Sequence, residues 1–247
     1  MLAPPLIPDE STRTLAQLVA KDVWRASELA VSRSTTRATG HAYLDAELPN
    51  KGWPRSSLIE LLLQQSGIGE LQLLEPALAA LSKTQRIALV QPPYIPQSMA
   101  FKVGGIDTNR LLWITAKSSA DALWTTEQIL KNGSCGAVIF WQQNVRSESL
   151  RRLNLAAQTT DTWFWFMRPM SCASDSSPAP LRLALRPALG GVSVEILKRR
   201  GPHCDVPLFI PLADMPAGRQ LLDIDHEVID NSLPALITSR VAAPVLV

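Results

Sequence analysis

The chain has 247 residues, 46% of them hydrophobic and 19% charged, with a formal net charge of +2. That length accommodates one large domain, or one domain with a tail, and the apolar share supports a substantial core. No run is long enough to span a membrane and no secretory leader pattern opens the chain, so the expected compartment is the cytoplasm.

Residues 1–10 are proline-rich and predict a loose start. A helix is expected from about Leu15 to Val31: Thr14 and Gln17 have capping-box spacing, and Leu15, Leu18, Val19, Val23, Ala26 and Leu29 follow a helical stripe. Something must cover that stripe, and Leu18, Val23 and Trp24 are the candidate partner-binding residues. The polar segment 32–42 predicts a linker.

Leu44 leads through a turn at Pro49-Asn50-Lys51-Gly52 to a strand at Leu58–Leu62 and a helix from about Gly69 to Leu81. Pro76 falls inside that helical pattern, where it removes a hydrogen bond and crowds the preceding turn; a kink or a fresh helix start is expected. Further strands are predicted at Ile87–Val90, Leu111–Ile114, Ala137–Trp141 and Trp163–Met167. Helices are predicted around Pro96–Val103, from a Ser119 cap to about Lys131 with Asn132-Gly133 closing it, and at Ser147–Gln158. Short, continuously apolar strands alternating with helices imply a mostly parallel sheet covered on both faces. Leu181–Arg186 and Val192–Lys198 then predict an antiparallel hairpin, and an irregular tail is expected beyond Gly201.

Residues 1–202 carry 22 basic and 16 acidic side chains, and the remainder 2 basic and 6 acidic. A mildly basic body with an acidic tail permits nucleic-acid contact without demanding it. Cys135, Cys172 and Cys204 are widely spaced, and His41, His203 and His226 form no ligand-spaced pair. Neither a metal centre nor a nucleophile triad is expected.

The segment from Leu58 to Leu71 reads as strand, loop and helix, the local frame of the phosphate-binding pattern G-x-x-x-x-G-K-[ST]. The chemistry departs from that frame. Leu63 stands at the first glycine, Ile68 at the second, Gly69 at the lysine and Glu70 at the magnesium-holding hydroxyl, with Ser66 and Gly67 between. Isoleucine restrains the loop, the lysine charge is missing, and a carboxylate at the helix start opposes an anion there.

The order of residues from about Thr39 to Gly201 resembles the core of the RecA recombinases. The resemblance rests on Thr39-Gly40, the Ile59-Glu60 strand entry, the run Gly105-Ile106-Asp107-Thr108-Asn109-Arg110-Leu111-Leu112 and the Leu150-Arg151-Arg152-Leu153 helix. The runs Gly52-Trp53-Pro54-Arg55, Gly67–Leu74, Ala120-Asp121-Ala122-Leu123-Trp124, Cys135-Gly136-Ala137-Val138 and Glu195–Gly201 resemble ImuA more closely. ImuA is the RecA-like, SulA-related family associated with translesion DNA synthesis.

The resemblance implies an α/β, RecA-like core at 39–201 with a degenerate P-loop and a C-terminal antiparallel hairpin. Residues 1–38 would then form an N-terminal helix and linker, and 202–247 an irregular acidic tail. It places the Walker B aspartate position on Trp141, the water-activating glutamate on Pro93 and the γ-phosphate-sensing glutamine near Pro169. With the P-loop losses, the expectation is a pseudo-ATPase without catalytic residues or cofactor. The implied function is a non-catalytic accessory role in SOS-induced, error-prone DNA damage tolerance. The partners would be an ImuB-type inactive Y-family polymerase and RecA; the alternative is a SulA-like cell-division inhibitor binding FtsZ.

The segments matching RecA's two DNA-binding loops are short, roughly Gln142–Glu148 and Ser171–Pro180, and neither holds an aromatic for base stacking. Arg146, Arg151, Arg152, Lys198, Arg199 and Arg200, with Arg168, Arg182 and Arg186, are the candidates for a basic surface, against the favoured reading of ordinary solvated charges around the sheet edge. Trp113, Trp141, Trp163 and Trp165 are expected in the core first, with one face of the Trp163–Met167 strand open to a partner. Leu233–Ile237 and Val245–Val247 are further candidate partner segments.

Overall fold

Runs that are apolar at every position, rather than at alternate ones, suit strands covered on both faces. In the computed structural model, which describes residues 35–202, 204 and 206–212, such runs form the middle of an eight-stranded sheet. The strands are β1 (Thr36–Arg37), β2 (Trp53–Pro54), β3 (Ser57–Leu63), β4 (Ile87–Val90), β5 (Leu111–Ile114), β6 (Ala137–Trp141), β7 (Trp163–Pro169), β8 (Leu181–Ala188), β9 (Gly191–Lys198) and β10 (Leu208–Pro211). The helices are α1 (Ala42–Glu47), α2 (Glu70–Ser82), α3 (Ser98–Val103), α4 (Ser119–Asn132) and α5 (Ser147–Ala157). The large sheet has the order β10-β9-β8-β3-β7-β6-β4-β5, and β1 pairs with β2 separately. From β8 to β5 all neighbours are parallel, while β9 and β10 add an antiparallel edge. The fold is therefore mixed α/β, with a mostly parallel sheet, flanking helices and a C-terminal hairpin. All described residues fall in one compact unit, Met1–Ala213; the second unit, Asp214–Val247, lies outside them.

Alternation along each strand divides the core in two. Ile59, Leu61, Leu89, Ile139 and Trp165 face Leu73, Leu74, Ala77, Leu78 and Leu81 of α2. Leu58, Val138, Phe140, Phe164 and Phe166 face Ala122 and Leu130 of α4 and Leu150, Leu153 and Ala157 of α5. The aromatic strand β7 serves both sides. Trp165 meets Trp53 edge-on at 5.9 Å, and Phe166 stacks on Phe140 at 4.9 Å. Burial of such side chains contributes about 1.5–3 kcal/mol each. Trp163 and Trp165 are 1% and 0% exposed, as expected of core residues, which leaves neither face of β7 open to a partner at these positions. Trp113, expected inside, is instead 53% exposed, because β5 is the sheet edge and only one neighbour covers it.

Other local expectations also shift. Ser118, not Ser119, caps α4, its side chain accepting the Asp121 N–H, and Gly133 closes the helix at φ +59°. Pro76 neither breaks nor restarts α2, which runs through it for 13 residues. The proline ring packs on Gly40, where a Cβ would stand 2.3 Å from the Pro76 Cβ and the backbone φ is +91°. Part of the expected linker is structured, since Thr36–Arg37 pairs with Trp53–Pro54. The expected irregular stretch after 201 contains β10, which extends the sheet beside β9. The expected N-terminal helix, with Leu18, Val23 and Trp24, and the segments Leu233–Ile237 and Val245–Val247 lie outside the described residues.

One charge sits at the centre of the sheet. Glu60 on β3 is fully buried, and its two carboxylate oxygens take Nη1 of Arg168 at 3.0 Å and Nε of Arg182 at 2.6 Å. Arg168 also bonds Asp175 at 3.0 Å, and Arg182 donates to the carbonyls of Cys172 and Ala173 at 2.8 and 3.1 Å. These two arginines, expected at the surface as solvated charges or as part of a basic patch, are 4% and 7% exposed, because Glu60 draws them inward. Replacing Glu60 with alanine leaves Arg182 buried without a counter-charge and Arg168 with Asp175 alone. The expected loss of stability is about 3–5 kcal/mol, read from urea unfolding midpoints; a loss below about 1 kcal/mol would contradict this role.

Candidate functional site

The loop 64–69 joins β3 to α2, and its conformation follows from two glycines and one carboxylate. Gly67 and Gly69 have φ of +84° and +105°, and Gly69 is the N-cap of α2. Gly69 offers no capping side chain, so the loop takes its acceptor from inside the helix. Glu70, 4% exposed, folds back and accepts the Gly67 N–H at 3.0 and 3.1 Å through its two oxygens. A carboxylate thus occupies the amide that such a loop would turn toward a phosphate oxygen, next to the positive end of the helix dipole. Ile68 and Leu63 are held by the core, Leu63 at 4% exposure and Ile68 packed against the α2-side cluster. Gly69 also admits a neighbour from far along the chain: a Cβ there would lie 2.3 Å from Cδ1 of Leu212, just past β10.

Beside this loop, a cleft of about 570 Å³ opens at the C-terminal ends of β3, β4, β6 and β7. The helices after β3 and β4 pack on one face of the sheet and the helix after β6 on the other. The departing loops therefore diverge, which is the general origin of ligand crevices in open α/β sheets. Pro93, Trp141 and Pro169, the three positions singled out by the resemblance, line this cleft together with Leu63 and Ser66 of the loop. Residues from four strand ends, spread over more than a hundred positions, converge at one place.

The floor follows a pattern unnoticed in the sequence. Gln64, Gln91 and Gln142 each follow the last apolar residue of a strand. Each donates its backbone N–H across the sheet, Gln64 to Leu185 O at 3.1 Å, Gln91 to Ile114 O at 2.9 Å and Gln142 to Met167 O at 3.2 Å. These three glutamines join the lining, with Gln65, Gln143 and Asn144. The recurrence of glutamine after β3, β4 and β6 was the available signal. Arg168 is the one cationic residue of the lining, and it is already bonded to Glu60 and Asp175.

The candidate basic residues do not gather on one surface. Arg146 precedes α5 at the cleft end of the sheet, whereas Lys198 ends β9 and Arg199 and Arg200 follow it, near the opposite ends of the parallel strands. Lys198 bonds Ser177 O at 2.9 Å, and Arg199 pairs with Glu47 at 2.9 Å. Arg152 bonds Glu127 of α4, and Arg151 is exposed. Among the described residues no group of three or more histidine, cysteine, aspartate or glutamate side chains is placed to hold a metal.

No protein-family model matches the chain, and no curated protein gives a significant match. Among solved structures, the chain is similar to SulA from Pseudomonas aeruginosa at 27% identity, over 47% of this chain and 99% of that one, with a TM-score of 0.39.

Two measurements check the local arguments. Glu70→Ala strips the charged acceptor from the Gly67 N–H and is expected to cost about 1.5–3 kcal/mol of stability in urea unfolding. The second concerns the α4–α5 contact. The hydrogen bond from Lys131, aided by Arg152 and opposed by burial, holds the Glu127 carboxyl below its ordinary range. A depressed carboxylate contributes stability above its unfolded pKa, and this is lost as pH falls through the folded value. Glu127→Gln should therefore lower Tm at pH 7, with the deficit closing as pH drops below the usual carboxylate range. A deficit that persists at pH 3 would show that packing, not charge, is responsible.

Proposed function

We propose that this chain is a non-catalytic accessory protein of SOS-induced translesion DNA synthesis, a RecA-like pseudo-ATPase that works through protein contacts. Its partners in this reading are an ImuB-type inactive Y-family polymerase and RecA. The observation that carries the reading is the convergence at one cleft. Phosphoryl transfer needs a cation on the phosphates, a magnesium carboxylate and a residue that orients the attacking water. The positions that the resemblance assigns to those parts hold Gly69, Trp141 and Pro93, and the loop amide is taken by Glu70. The ImuA-like runs at 52–55, 67–74, 120–124, 135–138 and 195–201 supply the assignment to damage tolerance.

A protein that has lost the nucleotide switch retains its outer surfaces, so recognition of other proteins remains available to it. The helix expected at 15–31, which carries Leu18, Val23 and Trp24, is assigned the principal contact. Direct DNA binding has weaker support, because the basic side chains are dispersed and several are engaged in ion pairs.

The test is co-purification of the full chain with ImuB and with RecA, compared with a chain lacking residues 1–31. Binding by the full chain and loss on deletion are expected, with no heat of ATP binding in calorimetry and no ATP turnover. Unchanged binding after deletion would reject the helix assignment. Failure to bind either partner, with direct inhibition of FtsZ assembly, would transfer the function to cell-division control. Saturable ATP binding would overturn the pseudo-ATPase reading.

A further inference from the structure

The glutamines at the strand ends do more than close the sheet. Nε2 of Gln91 donates to Ala116 O at 2.9 Å, and Nε2 of Gln142 donates to Ser119 Oγ at 2.9 Å. With their amino groups engaged, the two carboxamides are oriented, and their carbonyl oxygens have no protein donor among the described residues. Both are half-buried and both line the cleft. The cleft therefore presents fixed acceptors, supplemented at its rim by Gln64, Gln65, Gln143 and Asn144, whose carboxamides both donate and accept.

We propose that this cleft is a binding site for an uncharged, extended peptide segment, whose main-chain N–H groups bond the oriented carbonyl oxygens of Gln91 and Gln142. Charge is the first reason. The lining contains no acidic residue, and its single cation, Arg168, is bonded to both Glu60 and Asp175. A nucleic-acid strand needs cations for its phosphates, and none is available in the lining; a charged peptide has no counter-charge there.

Spacing is the second reason. β4 and β6 are adjacent, with Val90 opposite Phe140, so Gln142 lies one residue farther along than Gln91. Adjacent strands are ~4.8 Å apart and rise ~3.3 Å per residue, so the two side chains start from backbone positions ~6 Å apart, close to the ~6.6–6.8 Å between same-side N–H groups of an extended chain. Volume agrees, since about 570 Å³ falls in the ~300–1,000 Å³ range of ligand pockets. Trp141, Met167, Pro93 and Pro169 supply apolar wall against which small side chains pack.

The test uses the full chain and an array of N-acetylated, C-amidated octapeptides built from glycine, alanine, serine, threonine, asparagine and glutamine, each with a lysine-bearing and a glutamate-bearing counterpart. Hits are titrated by fluorescence anisotropy. Saturable binding of uncharged peptides is expected, weakened about tenfold by Gln91→Leu or Gln142→Leu and unaffected by Arg151→Ala on the outer face of α5. Gln143→Ala, at an exposed position, provides a variant whose fold is not at risk and is expected to weaken binding less. Absence of saturable binding, equal binding by the glutamine variants, or preference for a charged counterpart would overturn the proposal. So would binding of adenosine or an oligothymidylate in the cleft that the same variants abolish and the peptides do not displace.

Discussion

A single carboxylate at the middle of the sheet sets the terms for much of this structure. Glu60 lies on β3, between β7, which supplies Arg168, and β8, which supplies Arg182. An ionised group fully withdrawn from water is tolerated only when its oxygens are all engaged. Here each oxygen takes a guanidinium from a different neighbouring strand. Such a group adds little net stability over a well-packed apolar residue, but it selects among registers. Because side chains alternate across a sheet, a one-residue slip of β3 would turn Glu60 into the cluster of Ile59 and Leu61, where no cation waits. The arginines extend the influence outward. Arg182 grips the carbonyls of Cys172 and Ala173, and Arg168 grips Asp175, so the segment after β7 is tied down beside the cleft.

The cleft and the loop beside it divide the polar work differently from a nucleotide site. In a phosphate-binding loop the backbone amides are left open for an anion and a lysine adds charge. In this chain Glu70 satisfies the Gly67 amide internally, which stabilises the loop and removes the anion's place. Polarity in the cleft comes instead from neutral carboxamides at the ends of three strands. The crevice geometry of an α/β sheet is thus combined with a lining that holds no acidic residue and one cation, Arg168, which is already paired.

How much of this was legible in the sequence depended on whether local pattern or long-range contact decided the outcome. The inner strands were legible because continuous apolar runs have few other uses, and the Gly133 helix end because a left-handed cap favours glycine. The loop was legible as strand, loop and helix. The position of Trp113 was not, because its run looks as buried as the others and only the strand order makes β5 an edge. Arg168 and Arg182 look like ordinary surface charges until Glu60, more than a hundred residues earlier, is placed between them. β10 was hidden by surrounding prolines and by its short length, and its pairing with β9 is a tertiary choice. In the cleft, Trp141, Pro93 and Pro169 were identified by resemblance, whereas the glutamines escaped notice because each is unremarkable until the strands are aligned.

The contact between Gly69 and Leu212 bears on what position 69 can hold. A lysine placed there would have to accept φ of +105° and also enter space held by Cδ1 of Leu212, a residue 143 positions away. Opening the loop amide to an anion would further require Glu70 to release the Gly67 N–H. Turning this loop into a phosphate-binding one is therefore not a matter of one substitution. The docking of a leucine just past β10 makes the identity of residue 69 a tertiary constraint rather than a local one.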